Sequence, residues 1–258
     1  MIDTIPQILG RIVAKKKEEL SFNPAWERMA AGRAAGRRDF AAALRASSPA
    51  IIAEVKKASP SKGVFSNDFQ PARIASAYQA GGAAAVSVLT DVSFFQGSLD
   101  DLEKARAAIS LPVLRKDFTI AKSQILQAAA HGADAILLIA AILTEAQIRD
   151  FREYAAKLNL TALVEVHNRR ELDVAIAAGS DVIGVNNRDL NTFTVTLETS
   201  LELAEHMPTG TLLVSESGIH DAADIAKLRA AGYSAFLVGE HLMKSGDPEA
   251  ALKRLVAA

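Results

Sequence analysis

AGGAAAVSVL at residues 80–89, HGADAILLI at 131–139, AGSDVIGVNN at 178–187 and AGYSAFLVGE at 231–240 are four versions of one phrase. Each ends a helix on a glycine and opens a short strand. Gly81, Gly132, Gly179 and Gly232 stand where a helix turns into a left-handed cap, which glycine enters without a Cβ clash. The run after each glycine is apolar with little alternation, the pattern of a parallel strand buried on both faces. Similar runs lie at 51–55, 112–118, 161–166 and 211–217, trailed by amphipathic stretches such as ARIASAYQA and ELDVAIAA. Strand starts spaced about 20 to 35 residues apart mark a repeated β/α unit. Eight units in 258 residues is the size of a closed (β/α)8 TIM barrel. An open doubly wound sheet is the alternative, but it calls for a GxGxxG turn after its first strand, and the chain has none.

Composition fits one enzyme-sized α/β domain over residues 1–258. Hydrophobic residues make up 50%, enough for a large core, and no linker rich in Pro, Gly or Ser breaks the rhythm. The formal net charge is −1 without a basic block, which argues against nucleic acid or an anionic membrane as partner. The longest unbroken apolar run, 135–143, is far short of the ~20 residues of a membrane span. The N-terminus carries the charged IVAKKKEEL instead of a signal-peptide core, so the chain reads as soluble and cytoplasmic. The absence of cysteine removes thiol catalysis, zinc knuckles and disulfides.

Residues 1–48 precede the first strand as a helical extension. IPQILGRIVAKKKEEL sets Ile5, Ile8, Leu9, Ile12 and Val13 on one face, with a charged opposite side at 15–19, and DFAAALRA starts behind Asp39, a helix-capping residue type. Such an extension either plugs the bottom of the barrel or covers its catalytic end. The residue pattern leaves both open.

Catalytic groups in this fold sit at the C-terminal ends of the strands. There the first strand closes with Glu54 and Lys56, the third with Lys116, the fifth with Glu165, the sixth with Asn186 and Arg188, and the seventh with Glu216. One charge at a strand end is usually the start of a solvated loop. Parity separates these from that ordinary case: Glu54, Lys116 and Glu165 share faces with Ile52, Leu114 and Leu163, so apolar partners pointing into the barrel carry the charges inward too. Gathering such charges costs several kcal/mol unless they pair or are used. Lys57, Arg115 and Asn187 have the opposite parity and are expected on the exterior or in loop structure.

The seventh strand runs into SESGI and the eighth into VGEHLM, where a short helix begins. Those two loops hold the phosphate in many barrels of this kind, so Ser217, Gly218, Gly239 and Glu240 are expected to present backbone N–H groups to an anion, with the Glu240 carboxylate turned away. In TDVSFFQGSLDDL, Asp91 and the residues 94–97 form a loop whose aromatics suit an aromatic pocket, against the plainer reading of a packed loop. His131 reads as surface and His167 as loop entry, while His206, His220 and His241 lack metal-ligand spacing.

IIAEVKKASPSKG, SVLTDVSFFQGSLDDL, PVLRKDF, LVEVH, GVNNRDL, SESGI and LVGEHLM, in this order, resemble indole-3-glycerol phosphate synthase, and the likeness covers essentially the whole chain. The resemblance implies a tryptophan-pathway lyase that turns 1-(2-carboxyphenylamino)-1-deoxyribulose 5-phosphate into indole-3-glycerol phosphate, carbon dioxide and water. It implies a phosphorylated small-molecule substrate with an anthranilate ring, no cofactor and no metal, and it leaves a pathway-enzyme partner undefined. It further implies Lys116 as general acid on the C2′ carbonyl, and Glu165 as acid/base of dehydration with Glu54 and Lys56 beside it. Which of Lys56 and Lys116 protonates the leaving hydroxyl stays open. Asn186 and Arg188 are implied to orient the substrate, Glu216 to support the lysines, Ser59 and Phe95 to hold the anthranilate end, and Ser217, Gly218, Gly239 and Glu240 to hold the phosphate. The N-terminal helices are implied to lean on the catalytic mouth. His241 departs from the small residue frequent at its position.

Three alternatives bear comparison. Phosphoribosylanthranilate isomerase shares a phosphate-binding barrel but is expected to use a cysteine and to lack the extension. A Schiff-base aldolase would use Lys116 as nucleophile. A non-catalytic phospholigand-binding subunit has no need of Glu54, Lys56, Lys116 and Glu165 together.

Overall fold

The computed structural model describes residues 6–60, 62–66 and 68–258. Eight parallel strands close into a barrel: β1 Ala50–Val55, β2 Ala85–Leu89, β3 Val113–Lys116, β4 Ala135–Ile139, β5 Thr161–Val166, β6 Val182–Asn186, β7 Leu212–Glu216 and β8 Ala235–Val238. Consecutive strands are hydrogen-bonded neighbours, and β8 closes on β1 with Ala50 beside Ala235 and Ala53 beside Val238. The loop after β1 also folds back as a small antiparallel pair, Ala58–Ser59 with Gly63–Val64, which no apolar pattern announced. Strand parity divides the core. Ile52, Leu114, Leu137, Leu163, Val214 and Leu237 fill the barrel, while Ile51, Val113, Ile136, Val164, Ile183 and Phe236 pack outward under the helices. Burying each such side chain stabilises the fold by about 1.5–3 kcal/mol.

Three of the four repeated glycines take the expected left-handed conformation, with φ of 88° at Gly132, 76° at Gly179 and 99° at Gly232. In the first copy the doubled glycine changes the outcome. Gly81 keeps a right-handed φ of −76°, and Gly82 carries the positive φ of 92°. Gly81 is needed for space instead: a Cβ there would lie 3.0 Å from the Leu252 Cβ and 3.1 Å from the Glu249 carbonyl oxygen.

The N-terminal extension serves both ends of the barrel. Helix α1, Gln7–Glu19, buries Leu9 and Ile12 against the barrel interior, and Ile8 is half-buried; Ile5 lies outside the described residues. Lys16 does not belong to the charged outer side. It falls one turn beyond Ile12 on the buried face, where its ammonium meets Asp91 at 2.8 Å, Asp117 at 3.0 Å and Glu19 at 2.9 Å. Asp91 follows β2 and Asp117 follows β3, so α1 is fastened at the C-terminal end. Helix α2, Ala25–Arg33, packs along the outer helix Lys122–Ala130. Helix α3, Phe40–Arg45, starts on Asp39, whose carboxylate accepts from the Ala42 N–H at 2.8 Å. Its Phe40 and Leu44 join the inner core beside the strand-start residues Ala50, Val182, Leu212 and Ala235 and so stopper the bottom. Arg38 reinforces that end, its N–H donating to Asp134 at 2.9 Å and its guanidinium to the Leu111 carbonyl at 2.6 Å. Among the described residues no helix is long and apolar enough to cross a membrane.

Candidate active site

A cavity of about 370 Å³ opens at the C-terminal end of the barrel, and Glu54, Lys56, Ser59, Phe95, Lys116, Glu165, Asn186, Arg188, Glu216, Ser217, Gly218, Gly239 and Glu240 all line it. Strand register brings them together. Ile139 lies beside Glu165, Glu165 beside Gly184 and Asn186 beside Glu216, so adjacent strand ends deliver their inward side chains to one level.

Lys116 is the centre of the charge cluster. Its ammonium donates to Glu165 Oε2 at 2.8 Å and lies 3.1 Å from Glu216 Oε2. Burial by itself would lower the lysine pKa, but Glu165, Glu216 and Glu54 outweigh it and raise it, so Lys116 is held protonated. The carboxylates divide. For Glu165, burial is overcome by Lys116 and His167 and the pKa falls below the usual carboxylate range, while Glu216 is pushed up to about 7 by burial and by its acidic neighbours against the pull of Lys116. Glu54 accepts from Lys56 Nζ at 2.6 Å, forming a second acid–lysine pair on the opposite wall. Two glycines make room for this cluster. A Cβ on Gly184 would lie 2.2 Å from Glu216 Oε1, and one on Gly239 would lie 2.3 Å from Glu54 Oε1.

The remaining predicted residues form the walls. Asn186 Oδ1 accepts from the Ser217 hydroxyl at 2.9 Å and from the Arg188 N–H at 3.1 Å, tying the loops after β6 and β7. Ser217 and Gly218 both take positive φ, 67° and 79°, a turn that presents successive backbone N–H groups. The Glu240 carboxylate is not turned clear of the mouth as expected. Oε1 accepts from Lys244 at 2.6 Å and lies 3.9 Å from Lys62, while Oε2 stands 3.6 Å from the Arg188 guanidinium. These cations draw it across the helix start. Phe95 packs on Phe118 with ring centroids 6.0 Å apart, whereas Asp91 caps the short helix Val92–Phe95 and pairs with Lys16 instead of facing the cavity. His131 is half-buried, its Nδ1 3.2 Å from Glu103, so it is not a free surface residue. Arg115 lies under the helix layer, bonded to Thr90, Asp117 and the Gln124 carbonyl. Asn187 is buried and links Ser215, Ser217 and Ser200. Among the described residues there is no group of three or more His, Asp or Glu side chains arranged to hold a metal ion.

Sequence reasoning missed several lining groups. Phe118 sits two residues after Lys116 and therefore on its face, a signal that parity already contained. His220 and His241 stand at the phosphate end with ring centroids 6.2 Å apart, whereas Ile8, Leu9 and Ile12 of α1 line the mouth beside Glu54 and Lys116, as the resemblance implied for the N-terminal helices. The two histidines did not follow from strand pattern.

The sequence model of one family, described as indole-3-glycerol phosphate synthase, matches residues 6–255. The indole-3-glycerol phosphate synthase of Albidiferax ferrireducens is 50% identical, over 97% of this chain and 98% of that protein. That of Burkholderia vietnamiensis is 49% identical over 96% and 98%. Among solved structures, a mutant tryptophan synthase alpha-subunit from the hyperthermophile Pyrococcus furiosus superposes with a TM-score of 0.63 at 14% identity, covering 82% of this chain and 99% of that one. Thiamine phosphate pyrophosphorylase from Pyrococcus furiosus gives 0.62 at 16%, covering 80% and 93%. At these identities the solved structures share the barrel alone.

Proposed function

The chain belongs to the indole-3-glycerol phosphate synthase family, and on that premise we propose which of its side chains carry the reaction. The enzyme is a carbon–carbon lyase of tryptophan biosynthesis, closing, decarboxylating and dehydrating 1-(2-carboxyphenylamino)-1-deoxyribulose 5-phosphate to indole-3-glycerol phosphate. Lys116 is the general acid that protonates the C2′ carbonyl oxygen as the ring carbon bearing the carboxylate attacks C2′. The observation that carries this role is its ammonium, half-buried at the mouth between Glu165 and Glu216 and kept charged by them. The same charge argues against a Schiff-base nucleophile, which needs the free amine. Decarboxylation restores the aromatic ring. Glu165 then takes the C1′ proton and returns it toward the departing hydroxyl, while the Glu54–Lys56 pair orients and neutralises the same region.

Phe95 and Phe118 wall the anthranilate side with Ser59 nearby, and Asn186 and Arg188 face the sugar chain. The N–H groups around Ser217, Gly218, Gly239 and Glu240 receive the phosphate. When it binds, Arg188 and Lys62 exchange Glu240 for a phosphate oxygen. We place the enzyme in the cytoplasm, working on a small molecule without nucleic acid or membrane. Indole fluorescence on incubation with the substrate tests the reading. The parent should turn over, and Lys116→Ala should lose about 10²- to 10⁴-fold in kcat with substrate affinity within about tenfold. Lost affinity at an unchanged maximal rate would remove Lys116 from the chemistry.

A further inference from the structure

The reaction consumes a proton. The C2′ oxygen leaves as water and so acquires two protons, of which the substrate supplies one when the C1′–H bond breaks and the indole double bond forms. The C–C bond to the carboxylate breaks with loss of neutral carbon dioxide, its electron pair restoring the ring, and releases no proton. One proton must therefore reach the site from water in every turnover, into a cluster whose members Glu54, Glu165 and Glu216 are buried.

His167 stands where such a proton would pass. It follows β5 directly, and its ring lies between two carboxylates: Nε2 is 3.3 Å from Glu165 Oε1, and Nδ1 is 2.9 Å from Glu171 Oε2. Glu171, on the first turn of the helix Arg169–Ala177, also accepts from the His167 N–H at 2.8 Å and from Asn168 at 2.8 Å, which fixes that side of the ring. The other side is loose. Nε2 is buried and has no partner of hydrogen-bond geometry among the described residues, although Glu165 is within ion-pair distance. Beside the ring lies a second, polar cavity that adjoins the catalytic one, sharing Asn186, Arg188 and Leu190 with it, and that His167, Asn168, Glu171 and Thr194 line in addition; exposed Asn191 and Thr192 form its outer wall. The far oxygen of Glu165 is bonded to Lys116. The second cavity, the imidazole, the Glu165 carboxylate and the Lys116 ammonium are thus consecutive neighbours.

We propose that His167 returns to Lys116, by way of Glu165, the proton that each turnover consumes, drawing it from water in the second cavity. This rests on the reading of Lys116 and Glu165 given above. Lys116 spends its proton on the substrate oxygen, the Nε2 proton passes to Glu165 Oε1, and the carboxyl group turns about its Cγ–Cδ bond to hand that same proton to Lys116. The neutral ring then gives up its Nδ1 contact with Glu171, turns Nε2 toward the second cavity, takes a proton from water and swings back. Burial would lower the imidazole pKa, but Glu165 and Glu171 raise it to about 10, so at neutral pH the ring carries the proton it delivers.

The test separates first from later turnovers. With enzyme in excess, the first turnover draws on the proton already stored on Lys116, so His167→Asn and His167→Ala should form indole within about threefold of the parent rate. Under multiple turnover kcat should fall about tenfold or more, and free imidazole should restore His167→Ala in a saturable manner, as for a lost proton-transfer group. Melting temperatures check that both variants fold, and His167→Gln serves if either does not. First and later turnovers slowed alike without imidazole rescue would make His167 only a support for Glu165, and unchanged kcat would also overturn the relay. Glu165→Gln at full turnover would instead remove the catalytic reading beneath it.

Discussion

At the scale of single residues, each charge in the mouth has a partner that decides its work. Glu165 is held ionised by Lys116 and His167, the state needed to take a proton from C1′. Glu165→Gln should therefore stall dehydration more than ring closure, and rapid-quench analysis should find carbon dioxide released ahead of indole. Matched rates for the two products would count against this role. Gly184 is a quieter determinant. In Gly184→Ala the new Cβ would press on Glu216 Oε1, the end of a movable side chain, so stability should drop by only about 1 kcal/mol. Glu216 would leave Lys116, and kcat should fall about tenfold, read from melting curves and kinetics on the same sample. Parity made Glu54, Lys116 and Glu165 legible as inward groups. It did not say that one lysine serves two glutamates, because pairing across the mouth depends on strands far apart in the chain.

Among the elements, α1 has the least regular role. Its apolar face was visible, but a lysine at position 16 reads as solvated until Asp91 and Asp117 are brought beneath it. Lys16→Met leaves Asp91 buried without its cation and Asp117 with Arg115 alone, and breaking such a pair costs about 3–5 kcal/mol. The expected result is a loosened α1, a raised KM and a lower melting temperature. A variant with unchanged KM would separate α1 from substrate binding. The same link gives a pH dependence. Burial would raise the Asp117 pKa, but Arg115 and Lys16 depress it to about 2 from an ordinary 3.8. Its stabilising contribution is therefore complete above pH 3.8 and is lost as pH falls toward 2. In urea titrations from pH 5 to pH 3, the parent should lose stability more steeply than Asp117→Asn, and parallel slopes would contradict the assignment.

For the whole molecule, the two ends of the barrel can be perturbed apart. Leu44→Ala hollows the bottom and should cost about 2–5 kcal/mol with kinetic constants preserved below the melting transition. Removal of residues 1–20 should leave a folded barrel with weakened product binding, since Ile8, Leu9 and Ile12 no longer exclude water from the mouth. Product at one hundred times its Kd should stabilise the intact protein by about 2.7 kcal/mol, and this thermal shift should shrink in the truncated chain but persist in Leu44→Ala. Equal shifts in both would mean that α1 contributes nothing to the site.

The sequence by itself determined the eightfold β/α rhythm, the phase of each strand and the identity of the inward strand-end residues, because burial on alternate faces imposes a period that one strand displays without its neighbours. Its motifs carried the family resemblance. The resemblance implied an extension leaning on the mouth, and tertiary structure decided that α1 does so while α3 seals the bottom. Tertiary structure also decided that Gly82 takes the left-handed turn in place of Gly81, and that His167 bridges Glu165 to a second cavity. A helix's apolar stripe or a lone charge records that something must cover it, but what covers it is settled by closure of the barrel, which brings together groups the chain keeps dozens of residues apart.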